Sequence, residues 1–150
     1  MLKDKKRTVS LLAALMTTLA ISGCATMEKP IILDSDVSFA FGSADLTPEG
    51  RSRISQLVPS LIARGETRLD IIGHTDRIGD ATANMRLSER RADSVRQQIV
   101  AGGFNPDRVR ARGAGESHPL VYCEQQNQRA LIECLAPNRR VEINVTDIRW

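Results

Sequence analysis

The chain has 150 residues, 26% of them charged and 41% apolar, which bounds it to one domain of ordinary soluble composition. Its formal charge of +3 resides entirely in residues 1–23, where Lys3, Lys5, Lys6 and Arg7 stand against Asp4, so residues 24–150 are formally neutral. That neutrality, with only Phe39, Phe41, Phe104, Tyr122 and Trp150 as aromatics, excludes the basic footprint and stacking platforms of a nucleic-acid binder.

In chain order, the N-terminus comes first. Residues 3–7 are basic, Val9 to Ile21 is apolar apart from Ser and Thr, and small residues Ser22 and Gly23 precede Cys24. This is the order of a secretory signal. The run is shorter than the roughly 20 apolar residues a transmembrane helix needs. Ile21-Ser22-Gly23-Cys24 resembles a bacterial lipobox. The resemblance implies cleavage before Cys24, acylation of its thiol and new amino group, and sorting to the outer membrane, since residue 25 is Ala rather than Asp. An ordinary signal with an incidental cysteine, or an uncleaved anchor, is the alternative. Residues 25–35 read as a tether, whose eleven residues reach at most about 40 Å.

The domain is expected over 36–150. Asp36–Phe41 alternates, with Val37, Phe39 and Phe41 on one face, and predicts a strand. Thr47-Pro48 opens a helix as N-cap and first residue. Ile54, Leu57, Val58, Leu61 and Ile62 form its apolar stripe, and Pro59 is expected to kink it. Thr67–Gly73 predicts a second strand and 74–83 a polar loop. Asn84–Ala101 predicts a second helix, stopped by Gly102-Gly103. Val109–Gly113 predicts a short strand, Gln125–Glu133 a short helix, and Arg140–Val145 a last strand. The expected class is α/β, or α+β: a two-layer sandwich with a mixed sheet of about four strands and two to three helices packed on one face.

On the second long helix, Leu87, Arg91 and Val95 fall four apart and share a stripe with Asn84. A guanidinium at Arg91, beside an inward apolar face, needs an anion. Asp76, in the loop closing the second strand, supplies one at the end where α/β sheets place ligands. The two either pair with each other or bracket a zwitterion, Asp76 taking an ammonium and Arg91 a carboxylate. Spacing leaves both open.

The runs IGHTDRIG at 72–79, NMRLSERRADSV at 84–95, GAGE at 113–116 and NRRVEI at 138–143 resemble the OmpA-like C-terminal domain family, which includes peptidoglycan-associated lipoproteins and flagellar stator B-subunits. Order and spacing agree from about residue 36 to 147. The resemblance implies that Asp76 and Arg91 hold the diaminopimelate of the peptidoglycan stem peptide, a free amino-acid terminus carrying one charge of each sign. It implies that Asn84 lines the same pocket. Of the mainly architectural pair Arg139 and Arg140, Arg139 is a secondary site candidate. One departure is Phe41-Gly42, where many members have Phe-Asp, so a secondary contact is expected to be missing and affinity to be weaker.

After Cys24, Cys123 and Cys134 remain. An even remainder in a secreted chain suggests a bridge, and several members of the family carry a similar pair. Its loop of about a dozen residues would contribute slightly under about 3 kcal/mol in the chain-entropy model. Two free thiols or a metal pair are the alternatives, the metal disfavoured because no neighbours complete four ligands. His74 is expected to be structural, without a second histidine, His118 standing alone in another loop. Glu116 is expected in a turn or salt bridge.

The functional expectation is an outer-membrane lipoprotein facing the periplasm that tethers the membrane to peptidoglycan, with no cofactor, no metal and no catalysis. The chain shows neither G-x-S-x-G nor H-E-x-x-H, which disfavours a peptidoglycan hydrolase. The alternative partner set is a larger envelope machine that uses the domain to grip the wall. A short tether argues against a stator subunit.

Overall fold

Thr47 begins the first long helix as its side chain dictates: its hydroxyl accepts from the Gly50 amide at 3.0 Å, with Pro48 directly after it. The computed structural model describes residues 29–40 and 42–147; the signal segment, Cys24 and Phe41 lie outside them. The helix, α2, spans Pro48–Ala63 and buries Gly50, Ile54, Val58 and Leu61. Ile62, expected inward, is exposed. Pro59, expected to kink the helix, lies within it, and α2 continues past it to Ala63. Pro59 is on the solvent side, where the Ser55 carbonyl it leaves without a donor can be hydrated.

The other long helix, α3, spans Ala81–Ala101 and buries Asn84, Ser88, Arg91, Ala92, Val95 and Ile99. It starts ahead of the expected Asn84 because Asp80 caps it, accepting from the Ala83 amide at 2.8 Å. Four strands, β1 (Ile31–Asp34), β2 (Thr67–Gly73), β3 (Val109–Gly113) and β4 (Arg140–Asp147), form one mixed sheet ordered β1-β4-β2-β3. Only β2 and β3, joined through α3, are parallel. Leu33, Leu69, Ile71, Val109, Val141 and Ile143 of the sheet meet Ile54, Val58, Leu61, Ala92, Val95 and Ile99 of the two helices in one core. Arg68, Asp70, Arg110, Arg112 and Asn144 alternate with these and lie outside it. The result is the expected two-layer α/β arrangement. A short helix, α4 (Gln128–Cys134), capped by Asn127, adds no buried residue.

The first strand differs from expectation. Residues 36–40 are not a strand: a single helical turn, α1 (Ser35–Ser38), occupies that position, and Phe39 makes only an isolated bridge to Leu46. Asp34 turns the chain, its carboxylate accepting from the Asp36 amide at 2.8 Å. The strand lies earlier, Ile31 pairing with Ile143 and Leu33 with Val141, so part of the expected tether at 25–35 belongs to the sheet. Val37, expected on the same face as Phe39, is 45% exposed while Phe39 is 2% exposed.

Two glycines fix how α3 meets the sheet. A Cβ at Gly73 would fall inside van der Waals contact of the Ser88 carbonyl, and one at Gly113 would meet the Ser88 hydroxyl and Glu89. The helix backbone therefore lies directly on the carboxyl ends of β2 and β3. Ser88 Oγ also accepts from the Gly115 amide at 3.0 Å. This contact carries Asn84 and Arg91 to the loops at that end.

Candidate ligand site at the carboxyl end of β2

The loop after β2 is pinned at its start. The His74 amide donates to the Arg140 carbonyl at 2.8 Å and the Thr75 amide to the Gly115 carbonyl at 2.9 Å. Asp76 follows, with both oxygens engaged: Oδ1 accepts from the Ile78 amide at 2.9 Å and Oδ2 from Arg139 Nη1 at 2.7 Å. Asn84 is buried beside it. Its Nδ2 is shared among the Asp76 and Ile78 carbonyls, both at 3.2 Å, and Glu116 Oε2 at 3.0 Å. Asn84 therefore braces the loop, and Glu116, in a turn as expected, is its partner.

The expected alternative in which Asp76 pairs with Arg91 is not what forms. Asp76 pairs with Arg139, which also donates from Nε to Asp36 Oδ1 at 2.9 Å and from Nη2 to Asp36 Oδ2 at 2.5 Å. This is a fork on one carboxylate and a single contact to another. The Arg139 hydrogen bonds hold the Asp36 carboxyl below its usual range, against the opposing effect of burial. The same bonds, Asp36 first, hold the Arg139 proton more tightly than in a free guanidinium. Arg139, the last of the four candidates by sequence, is the hub. Asp36 is not among the sequence candidates, because a strand across 36–41 gives it no reason to face the site.

Arg91 is 5% exposed. Its Nε donates to the Ser43 carbonyl at 3.0 Å, and its guanidinium carbon lies 5.2 Å from the centre of the Phe39 ring. Among the described residues no carboxylate is in ion-pair contact with it. Burial lowers its pKa, and the fields of Asp36 and Asp76 oppose that shift. The site thus gathers Asp36, Asp76, Arg91 and Arg139, two charges of each sign.

The histidines are not apart, as sequence suggested. Their rings meet edge-on with centroids 6.1 Å apart. His74 is 4% exposed, neither ring nitrogen has a hydrogen-bond partner, and its Nε2 is 3.7 Å from Glu142 Oε1. Burial first, then Arg140, pushes its pKa down to about 4. No group of three metal-ligating side chains occurs among the described residues. Arg140 serves architecture: its Nε donates to Glu142 Oε1 at 2.7 Å and its Nη2 to the His118 carbonyl at 3.2 Å. Cys123 and Cys134 are joined, with Cα atoms 6.1 Å apart.

A family model described as the OmpA family matches residues 38–133. Outer membrane protein A of Yersinia pseudotuberculosis is 45% identical over 122 residues, covering 78% of this chain and 35% of the relative. Outer membrane protein P5 of Haemophilus influenzae is 40% identical over 122 residues, covering 79% and 35%. The chain therefore spans about a third of the length of these relatives. Among solved structures, a MotB-like protein from Desulfovibrio vulgaris superposes with a TM-score of 0.66 at 29% identity, covering 81% of this chain and 74% of that one. The peptidoglycan-associated lipoprotein from Burkholderia pseudomallei shares the fold, with a TM-score of 0.63 at 21% identity over 79% of this chain and 91% of that one. On the matched residues and these identities, the chain is a member of the OmpA family.

Proposed function

We propose that this chain binds peptidoglycan noncovalently, gripping the free amino-acid end of diaminopimelate in the stem peptide. The observation that carries this is the buried guanidinium of Arg91, whose contacts among the described residues are a carbonyl and an aromatic ring rather than a carboxylate. It is suited to a ligand carboxylate, while Asp76 and Asp36 offer oxygens to the ammonium on the same carbon. The four side chains sum to zero charge, so a zwitterion enters without changing the balance. Asn84 holds the loop that presents Asp76. The peptidoglycan association in the name of the Burkholderia neighbour supports the same reading.

We further propose that the domain is carried at the periplasmic side of the outer membrane by acyl chains on Cys24, and that it grips without cleaving. Several chains hold firmly, since each buried CH₂ contributes about 0.8 kcal/mol. A second reading keeps the grip and makes the chain a wall anchor for a larger envelope machine; the MotB-like neighbour favours it.

The test is sedimentation of the full chain with purified sacculi. The wild type pellets and free diaminopimelate releases it, whereas Asp76→Ala and Arg91→Ala stay in solution. Equal pelleting of all three would show the site to be wrong, and failure of the wild type would show the function to be wrong. Cys24→Ser should appear in the soluble periplasm; continued membrane association would refute the anchor.

A further inference from the structure

The segment closed by Cys123 and Cys134 touches the site at two points. Near its start, the Cys123 carbonyl accepts from Arg77 Nη2 at 2.7 Å. Near its end, the Ile132 carbonyl accepts from Arg139 Nη1 at 3.0 Å, the same nitrogen that reaches Asp76 Oδ2. Arg77 follows Asp76 in the chain. One guanidinium, that of Arg139, therefore meets the Asp76 carboxylate, and the other, that of Arg77, ties down the residue after Asp76; each is aimed by a backbone carbonyl of one covalently closed loop.

Little else holds that loop. α4 buries no residue, and a seven-residue helix is far below the roughly 12–15 residues at which isolated helices become even marginal. The approach to Cys123 is fixed from the other side. Asn138 Oδ1 accepts from the Leu120 and Val121 amides at 2.7 and 3.0 Å, and its Nδ2 donates to the Val121 carbonyl at 2.9 Å. The bridge extends that fixed backbone to the far end of α4.

We propose that the Cys123–Cys134 bridge is a positioning device for the ligand site: it holds the two carbonyls that aim Arg77 and Arg139, and through them sets the orientation of Asp76. The proposal deepens the reading of Asp76 as a ligand residue and rests on it. Opening the bridge releases the Ile132 carbonyl, so Arg139 Nη1 loses one of its two acceptors and Arg77 loses its anchor. The sheet and the two long helices keep their core, because that core draws nothing from the bridged segment.

The experiment compares the full chain with its Cys123→Ser/Cys134→Ser form by nitrogen-15 NMR of the arginine side chains, by thermal melting, and by titration with meso-diaminopimelate. The bridgeless form is expected to keep its backbone amide spectrum, to show the Arg77 and Arg139 Nη signals collapsed by free rotation, and to bind about tenfold more weakly, the equivalent of one hydrogen bond to a charged group. Arg77→Met is expected to weaken binding with the bridge intact and to add little without it. Unchanged guanidinium signals and an unchanged Kd, with only a lower melting point, would overturn the proposal and leave the bridge merely structural. If the double serine form does not fold, Arg77→Met in the bridged protein decides: wild-type affinity there overturns the proposal. If the wild type does not bind diaminopimelate, the peptidoglycan reading fails, and the guanidinium signals still decide the positioning role.

Discussion

The guanidinium of Arg91 stands with its carbon 5.2 Å from the centre of the Phe39 ring, an aromatic face where a carboxylate would ordinarily be. The ring and the Ser43 carbonyl compensate the charge in part, which leaves the side chain able to take an incoming anion. This geometry separates stability from binding. Arg91→Met should hold folding stability within about 1 kcal/mol of the wild type, because an isolated buried cation is exchanged for a packed apolar chain. The same variant should lose at least about tenfold in affinity for sacculi. Urea unfolding and sedimentation measure the two; a large loss of stability with full binding would contradict both halves.

Arg139 predicts the opposite. Its side chain is 17% exposed and meets Asp76 at 10% and Asp36 at 48% side-chain exposure. Arg139→Met strands both carboxylates. The expected loss is about 2–3 kcal/mol, below the full value for a buried pair because Asp36 is partly solvated. Adding Asp36→Asn should recover some of it. Denaturant midpoints at fixed slope would report this, and additive losses would argue against the pairing.

His74 sets an acid limit. Its pKa is about 4 in the folded chain against the ordinary 6.5, so the unfolded chain takes up the proton first. Stability is therefore greatest above pH 6.5 and falls as pH drops from 6.5 toward 4, by roughly 2–3 kcal/mol if the full shift is expressed. Asp36 acts in a separate window: its lowered carboxyl contributes stability that is lost only below its ordinary 3.8. His74→Phe should flatten the first window and leave the second. Thermal melts from pH 7 to pH 2 would show it, and an unchanged slope between pH 6.5 and pH 4 would remove His74 from the account.

Gly73 carries the joint between β2 and α3. Gly73→Ala places a methyl against the Ser88 carbonyl, which must move because a helix backbone has no rotamer to yield. A loss of at least about 2 kcal/mol is expected. Weaker wall binding should accompany it, since Arg91 lies one turn beyond Ser88. Wild-type stability and affinity would mean that the helix can slide at no penalty.

Most elements were legible because their signals are local. Thr47, Pro48 and the stripe Ile54, Val58, Leu61 announce α2, and the near-continuous apolar run of Thr67–Gly73 marks a strand buried within the sheet. The first strand was not legible. Two alternating patterns overlap, Ile31/Leu33 and Val37/Phe39, and the choice between them depends on pairing with Val141 and Ile143 far down the chain and on a turn capped by Asp34. The site divides in the same way. Asp76, Asn84 and Arg91 share one loop and one helix face, so spacing brings them together. Asp36 and Arg139 are separated by 103 positions, and no local period relates them. The short polar run Asp34-Ser35-Asp36 is the sequence feature that marks the cap and the carboxylate facing the site.

Because β1 begins at Ile31, only residues 25–30 lie between Cys24 and the sheet. With the anchor proposed at Cys24, the leash is at most about 22 Å rather than about 40 Å. The space it sweeps shrinks with the cube of that length, by about sixfold. A wall strand inside the smaller shell meets the site at a correspondingly higher effective concentration, while one outside it is never gripped. On the proposed anchoring, four residues recruited into a strand would turn a loose tether into a gauge of the gap between membrane and wall.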